Sequence, residues 1–206
     1  MRDYTVRRSF RYQDEEEEKT GKYPEQDLFF QKMLKTRTIL ISGEINKTMA
    51  ERAVRQILLL EEAGDAPIKV FIDSPGGDAD AGFAIFDMLR FIKPSVYTIG
   101  MGLVASAAAI ILLTAPKERR VGLPHSHYLI HQPLSGIRGV ATEIEIHAKE
   151  LEKLRVKINN LISQETGTPL EQVEKDTDRD FWMTADEAKE YGLINKIVTR
   201  KDEFSV

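Results

Sequence analysis

The chain has 206 residues, a formal net charge of −4 and no cysteine, so its length suits one principal domain with a single hydrophobic core. The charge balance gives no broad basic surface, which argues against nucleic acid as a partner. The lack of cysteine excludes disulfides, thiolate zinc sites and a cysteine nucleophile, and it suits a reducing cytoplasm, where we expect the protein to be.

Residues 1–36 differ in composition from the rest of the chain and predict an N-terminal arm. Arginines and aromatic residues alternate over residues 7–12, and an acidic run follows at residues 14–18. An acidic run is typical of a solvated loop, and a recognition loop is the alternative. No apolar segment follows the arginines, and the run LVASAAAIILLTA is shorter than a bilayer span, so we expect neither a secretory signal nor membrane contact.

From residue 38 onward, short β-branched runs alternate with segments of helical periodicity. TILISG, IKVFID and SVYTIGMG predict strands, and TMAERAVRQILLLEEAG and AGFAIFDMLRFI predict the helices between them. This alternation indicates parallel strands joined by crossover helices, and therefore an α/β domain over residues 37–206.

Three helix starts carry the pattern of a capping box, in which a threonine is followed three residues later by a glutamate. The pairs are Thr48 with Glu51, Thr142 with Glu145, and Thr184 with Glu187. Each pair predicts that a helix begins directly after its threonine.

The second of these helices is predicted to be long, over about residues 142–166, with Gly167 and Pro169 ending it. An amphipathic stripe runs along it from His147 to Leu161 at intervals of three and four residues. From the residues alone, such a helix either covers its own sheet or projects outward and packs on another subunit.

The stretch GMGLVASAAAIILL places one polar side chain, Ser106, among small and aliphatic residues. One interpretation is a packed helical serine whose hydroxyl bonds to a carbonyl one turn earlier. The other is a nucleophile at the start of a helix, where backbone N–H groups stabilise nearby negative charge. The second interpretation needs a base and an acid elsewhere in the chain.

The candidates for the base are the four histidines, His125, His127, His131 and His147. His147 lies on the apolar stripe and fits a packed or interface residue, and His125 and His127 fit surface positions at the entry of a strand. His131 ends the strand-like run HYLIH and precedes Pro133, which ends strands. Because strand ends present side chains into clefts, His131 is the best candidate.

Two further motifs offer an acid and an oxyanion site. The acid that orients the imidazole can come from DTDRD, where the residues alone leave Asp176, Asp178 and Asp180 open. SPGGDADAG places Gly76 and Gly77 between a strand and a helix, where their backbone N–H groups are free to face an oxyanion. Ordinary turns use the same glycine pair, so this motif supports an oxyanion site only in combination with the serine and the histidine.

Four motifs, in order and in spacing, resemble the ClpP family, the proteolytic subunits of the ATP-dependent Clp protease. They are FIDSPGGDADAG, GMGLVASAAAIILLTA, LIHQPLSGIRGVATEIEIHAKE and EKDTDRDFWMTADEAKEYGLI. The resemblance implies a crotonase-like spiral fold of repeated β-α units and a serine endopeptidase. It makes Ser106 the nucleophile, His131 the general base and Asp180 the orienting acid. The oxyanion hole would consist of the backbone N–H groups of Gly77 and Ala107.

The same resemblance implies an assembly of two stacked heptameric rings, with the helix over about residues 142–166 as the handle between them. Residues 1–36 would include an axial loop, and an AAA+ Clp unfoldase would supply unfolded polypeptide. Gly136 and Gly139 would lie on the strand edge that binds extended substrate, and Asp178 and Arg179 would contact the other ring. The resemblance implies neither a cofactor nor a metal ion.

Three features depart from the family pattern. Ala107 stands where the family usually has methionine, which predicts an altered wall of the substrate pocket. The acidic run includes Glu15 and Glu18 at the expected pore entrance and predicts a gate that favours basic chains. Lys69 stands where the docking pocket for the unfoldase commonly has an aromatic residue, although Phe71 remains, which predicts weaker partner binding.

Two other functions compete with an active peptidase. One is a regulatory or weakly active ClpP paralogue in a mixed ring, and the other is an acyl-CoA-processing relative that shares the crotonase-like fold. Ser106, His131 and Asp180 together favour the active peptidase, since neither alternative needs all three.

Overall fold

The computed structural model describes residues 24–204, so the acidic run and most of the predicted arm lie outside the described residues. The helices of this part are α1 (Pro24–Lys35), α2 (Lys47–Glu62), α3 (Ala79–Phe91), α4 (Ala107–Leu112), α5 (Ala141–Thr166), α6 (Leu170–Asp176) and α7 (Ala185–Tyr191). The strands are β1 (Thr38–Ser42), β2 (Ile68–Ser74), β3 (Val96–Ala105), β4 (Arg120–Gly122), β5 (His127–Ile130), β6 (Phe181–Met183) and β7 (Lys196–Ile197). Helix α1 lies inside the segment that the sequence assigns to an arm.

The strands form one sheet that is parallel except at β6. Its order is β1-β2-β3-β4-β7, and β5 joins it by pairing with the second half of β3 while the first half pairs with β4. Strand β6 runs antiparallel to β5. The predicted alternation of strands and crossover helices is confirmed from β1 through α4.

The hydrophobic core lies between the sheet and the helices that cover it. Ile41 of β1 and Ile72 of β2 are buried, and so are Ile57 of α2, Leu89 of α3 and Ile111 of α4. All six residues of α4 are buried, although the helix is short. Helix α4 is therefore a central element of the core, which explains its uniform composition of alanine, isoleucine and leucine.

A buried tyrosine explains two glycines in neighbouring strands. Tyr128 of β5 is fully buried, and a Cβ atom at Gly100 or Gly122 would come within 2.5 or 2.4 Å of its hydroxyl oxygen. The hydroxyl of Ser126 donates to Tyr128 at 2.9 Å. Burial raises the pKa of Tyr128 to about 12, against the opposing effect of that hydrogen bond. The ring thus fixes β5 against β3 and β4.

The first predicted capping box is wrong. Helix α2 has Asn46 as its N-cap, and the side-chain oxygen of Asn46 accepts a hydrogen bond from Met49 N–H at 2.9 Å. Thr48 and Glu51 both lie inside the helix, where Glu51 pairs with Arg55 one turn later. Asn46, two residues before Thr48, therefore caps the free amide of Met49. Asparagine is at least as good an N-cap as threonine.

The second predicted capping box is also wrong. Helix α5 begins before Thr142, and Val140 N–H donates to the carboxylate of Glu143 at 3.2 Å. Glu145 instead accepts a hydrogen bond from Lys149 at 2.7 Å along the exposed helix surface.

The third capping box is confirmed at the start of α7. Glu187 N–H donates to Thr184 Oγ at 3.3 Å, and Thr184 N–H donates to the Glu187 carboxylate at 2.7 Å. The hydrogen bonds from the Thr184 backbone and side chain lower the pKa of the Glu187 carboxyl. The threonine is the N-cap here because the three residues directly before it, Phe181–Met183, have no side chain that caps a helix.

The long helix predicted over about residues 142–166 is α5, Ala141–Thr166. Its second half packs into the core through Ile158 and Ile162, which are buried. In its first ten residues every side chain except His147 is exposed. The first ten residues of α5 are therefore largely uncovered by the rest of the described chain. No helix within residues 24–204 is long and apolar enough to cross a membrane.

Candidate active site

Ser106 lies at the sharp junction between the end of β3 and the start of α4. Its φ is 56° and its ψ is −121°, a left-handed conformation that is strained for a residue with a side chain. Its N–H donates to Leu129 O of the neighbouring strand at 2.9 Å, which anchors the junction to β5. The serine is therefore not in the interior of a helix, and its hydroxyl is half-buried beside the sheet edge.

The sheet register brings His131 and Asp180 to the same place. In the parallel pair of β3 and β5, Ala105 is opposite Leu129, so Ser106 and His131 leave neighbouring strands at the same end of the sheet. In the antiparallel pair of β5 and β6, Ile130 is opposite Phe181. Asp180, one residue before β6, is therefore opposite His131, one residue after β5.

The three side chains form a continuous hydrogen-bonded chain. His131 Nε2 lies 2.9 Å from Ser106 Oγ, and His131 Nδ1 lies 2.9 Å from Asp180 Oδ1. The imidazole is 16 % exposed and the Asp180 side chain is 61 % exposed. With Nδ1 protonated and held by the carboxylate, Nε2 is free to accept the serine proton.

The other two aspartates of DTDRD have different partners. The Asp176 carboxylate accepts a hydrogen bond from the Tyr191 hydroxyl at 3.0 Å, and the Asp178 carbonyl accepts one from the Gln132 side chain at 2.6 Å. Arg179 is exposed and lies 3.4 Å from the carboxylate of its neighbour Asp178. Asp178 and Arg179 thus lie on the surface directly beside Asp180.

The loop that carries Asp180 is fixed from α5. The hydroxyl of Thr177 lies 2.9 Å from Asn159 Oδ1, and both residues are buried. Gln132 N–H, next to His131, donates to Thr177 O at 2.6 Å. The histidine and aspartate segments are therefore joined by backbone and side-chain bonds as well as by their own contact.

Of the two glycines of SPGG, Gly76 lies against the serine junction and Gly77 lies against Ile45. A Cβ atom on Gly76 would come within 2.6 Å of Ala105 O and 2.7 Å of Ser106 Cβ, and one on Gly77 within 2.2 Å of Ile45 O. Both glycines have positive φ, 90° and 144°. Only glycine permits this approach, which places the backbone of Gly77 at the mouth of the site.

Ala107 provides the second predicted oxyanion donor. It is the first residue of α4, and the first backbone bond of that helix turn runs from Ala109 N–H to Ser106 O at 2.9 Å. The Ala107 amide thus precedes the hydrogen-bonded part of the helix, next to the serine hydroxyl. Its side chain is buried and faces Gly82 of α3, where a Cβ atom would lie 3.1 Å from Ala107 Cβ.

A cleft of about 860 Å³ opens beside these residues. Gly77, Ser106, Ala107 and His131 line one part of it, and α5 supplies an apolar wall that includes Leu154. Residues 131–140 form no strand, and Gly136 and Gly139 in this segment are exposed. The predicted substrate edge is thus an irregular segment in the isolated chain. Lys69 and Phe71 are half-buried on β2 and do not line the cleft.

One polar pair in the cleft has no recognisable pattern in the sequence. The Ser135 hydroxyl lies 2.9 Å from His147 Nε2, which ties the segment after His131 to α5. Both residues line the cleft. His147 was the only half-buried residue in the first turns of α5, which fits its predicted packed role, but its serine partner carried no signal in the sequence. Among the described residues, no group of three or more acidic or histidine side chains could hold a metal ion.

Comparisons with known proteins identify relatives over nearly the whole chain. The family model described as Clp protease matches residues 21–201. The ATP-dependent Clp protease proteolytic subunit 2 of Treponema denticola is 68 % identical over 90 % of this chain and 94 % of its own. The ATP-dependent Clp protease proteolytic subunit 3 of Rhizobium etli is 45 % identical over 93 % of this chain and 98 % of its own.

A solved structure agrees with these relatives. A mutant of ClpP1 from Listeria monocytogenes superimposes with a TM-score of 0.81 at 48 % identity, covering 86 % of this chain and 99 % of that one. This likeness confirms the predicted α/β fold of the ClpP type. The chain therefore belongs to the Clp protease family, among its proteolytic subunits.

Proposed function

We propose that the chain is a serine endopeptidase in which Ser106 is the nucleophile, His131 the general base and Asp180 the acid that orients the base. The observation that carries this proposal is the hydrogen-bonded chain through His131, with 2.9 Å on both sides of the imidazole. Membership of the Clp protease family supplies the reaction class, which is hydrolysis of peptide bonds.

The reaction proceeds by acyl transfer in two steps. His131 Nε2 takes the proton of Ser106 Oγ as the oxygen attacks the carbonyl carbon of the substrate, and the imidazolium then gives that proton to the leaving amine. Water, deprotonated by the same nitrogen, attacks the acyl-enzyme and releases the second product. Asp180 stays ionised throughout and stabilises the imidazolium through Nδ1.

The oxyanion of each tetrahedral intermediate would bind to backbone N–H groups of Gly77 and Ala107. The close approach of Gly76 to Ser106, the place of Gly77 in the same cleft and the position of Ala107 at the first residue of α4 support this assignment. Backbone donors are fixed in place before the reaction, so they cost no reorganisation when charge develops. The alanine in place of methionine leaves this backbone donor intact.

Substrate would bind as an extended chain along residues 133–140, with Gly136 and Gly139 exposing backbone donors and acceptors. Main-chain recognition tolerates many side chains, which suits the degradation of unfolded polypeptides. The cleft of about 860 Å³ beside Ser106 is large enough for several substrate residues.

Family membership implies an oligomeric assembly that works with a Clp unfoldase. Within it, the exposed first half of α5 would contact the opposite ring, and the surface residues Asp178 and Arg179 would form further contacts beside Asp180. Two stacked heptameric rings are the expected form. The active-site residues of this chain are complete by themselves, which favours a proteolytic role over a regulatory one.

The test is covalent labelling with a serine-reactive fluorophosphonate, read as intact mass on the wild type and on Ser106→Ala. We expect a single adduct on the wild type and none on the variant, with the oligomeric state checked in the same buffer. An assembled wild type that takes no label would overturn the proposal and favour the regulatory role.

A further inference from the structure

A buried ionic network lies outside the cleft and has no part in the mechanism above. Glu165, next to the last residue of α5, accepts a hydrogen bond from Arg90 of α3 at 2.6 Å and a second one from Arg120 of β4. Arg120 Nη1 also donates to the backbone carbonyl of Glu165 at 2.9 Å. The Arg120 side chain is 1 % exposed and that of Glu165 is 18 % exposed, so the pair is largely removed from water.

The same two arginines hold the C-terminal end of α4. Arg90 donates to Leu113 O at 3.0 Å and to Thr114 O at 3.1 Å, and Arg120 Nε donates to Ala115 O at 2.6 Å. Helix α4 ends at Leu112, and Leu113 is its C-cap. The guanidinium groups therefore bind the carbonyls of the C-cap and of the two residues that follow it.

These bonds add directional contacts to the packing of α4, beside the hydroxyl of Thr98, which donates to Leu112 O at 2.9 Å. The helix contains only alanine, isoleucine and leucine, and apolar packing is not directional, so it does not by itself fix the position of a helix along its axis. The opposite end of α4 follows Ser106, whose strained backbone persists only when its surroundings hold it. Directional hydrogen bonds at the far end are a means of holding it.

We propose that Arg90, Arg120 and Glu165 form a positioning network that fixes α4 and thereby the Ser106 hydroxyl relative to His131. This inference rests on the proposed function of Ser106. None of the three lines the cleft, so they act on the reaction through the helices that they hold in place. Because Glu165 belongs to α5, the network also connects the end of α5 to the helix that carries the nucleophile.

The expected signature is a loss of turnover without a loss of substrate binding. A shift of roughly 1 Å between reacting groups is known to cost on the order of a hundredfold in rate. KM should change far less than kcat, because residues 133–140, where substrate is proposed to bind, do not belong to α4, although Ala107, Ala109 and Ile110 of α4 line part of the cleft. A small serine-reactive probe should report the same loss as the peptide substrate, because both depend on the position of the Ser106 oxygen.

The decisive variant is Arg90→Lys. Arg90 is 40 % exposed, and lysine keeps the positive charge beside Glu165 but cannot reproduce the forked bonds to two carbonyls. Arg37→Lys is the matched control, because Arg37 also donates to two loop carbonyls, those of Ala66 and Gly64, both at 2.7 Å. Both variants lose guanidinium bonds to two backbone carbonyls. Arg90→Lys loses them at the end of α4, and Arg37→Lys loses them in the loop after α2.

Both variants are assayed as assembled protein, below their melting temperatures, with a fluorogenic peptide and with fluorophosphonate labelling of Ser106. We expect Arg90→Lys to lower kcat and the labelling rate by about tenfold or more, with KM within about twofold of the wild type and Arg37→Lys unchanged. An assembled Arg90→Lys with wild-type kcat and labelling rate would overturn the inference. So would a raised KM with unchanged kcat.

Glu165→Gln is measured alongside and should lower kcat in the same way. It leaves the buried Arg120 without its carboxylate, so if this variant does not assemble, Arg90→Lys decides alone. The wild type separates the two proposals. A wild type without label at Ser106 overturns the proposed function and the inference with it, whereas a labelled wild type with an unchanged Arg90→Lys overturns only the inference.

Discussion

Asp180 contacts His131, the proposed general base, by one hydrogen bond on the solvent side of the site. Its side chain is 61 % exposed, whereas the imidazole of His131 is 16 % exposed. In the proposed mechanism the carboxylate has two tasks, to keep the proton on Nδ1 and to stabilise the imidazolium. An amide of the same shape can do neither, because its NH2 group favours the wrong tautomer.

Replacing Asp180 by asparagine should therefore lower kcat for a small peptide by on the order of a hundredfold or more, with little change in KM. Asp176→Asn is the matched control, because the Asp176 carboxylate binds Tyr191 rather than the histidine. Steady-state kinetics on the two variants check this. Equal losses in both would show that the effect is structural.

At the residue level, the sequence points to Ser106 and His131 but leaves the acid open among three aspartates. The choice depends on the register of β5 against β6, which places Asp180 opposite His131. Pairing between segments about fifty residues apart is a property of the folded sheet and leaves no local pattern in the chain. The contact between Ser135 and His147 is unpredictable for the same reason.

Helix starts depend on which polar side chain reaches the first free amide. In α2 that residue is Asn46, which binds Met49 N–H at 2.9 Å, and Thr48 is an exposed residue of the first turn. The pattern of a threonine followed three residues later by a glutamate does not show whether another polar side chain caps the same amide. The structure thus assigns the stabilising role to the asparagine.

Asn46→Ala should lower the melting temperature by about 2–4 °C at fixed protein concentration, equivalent to about 1 kcal/mol for a lost N-cap. Thr48→Ala should leave it unchanged or slightly higher, because alanine is the better helix former. Thermal melts followed by circular dichroism compare the two. A larger loss of melting temperature in Thr48→Ala than in Asn46→Ala would instead support the capping box predicted for Thr48 and Glu51.

Long elements could be predicted, whereas the shortest ones could not. Helices α2, α3 and α5 and strands β1 to β3 show clear periodicity in the sequence, and α5 was predicted to within one residue at its start. Strands β6 and β7 have three and two residues, too few for any period. They exist because neighbouring strands offer them partners, which is a tertiary effect.

The exposed first ten residues of α5 are the clearest structural sign that the chain assembles with other subunits. Val140, Ile144 and Ile146 are 63, 43 and 63 % exposed near the start of the helix, and Leu134 is 80 % exposed close by in the sequence. Apolar side chains concentrated in this way mark an interface. The proposed contact between two rings would cover them.

Ile146→Glu should therefore split the assembly into single rings, which halves the mass in analytical ultracentrifugation. A charge placed in an apolar interface loses water without gaining a partner. Ile146→Val, which keeps the apolar surface, is the control and should retain the full mass. A double ring that persists in Ile146→Glu at low protein concentration would show that α5 is not the contact.

The central claim is that Ser106 and His131 act as one unit, and the most direct measurement is kcat for a fluorogenic peptide with Ser106→Ala, His131→Ala and the double variant. Groups that act together show strongly non-additive losses. We predict that each single variant loses nearly all turnover and that the double variant is no slower than the slower single one. Losses that multiply in the double variant, or wild-type turnover in either single variant, would contradict the account.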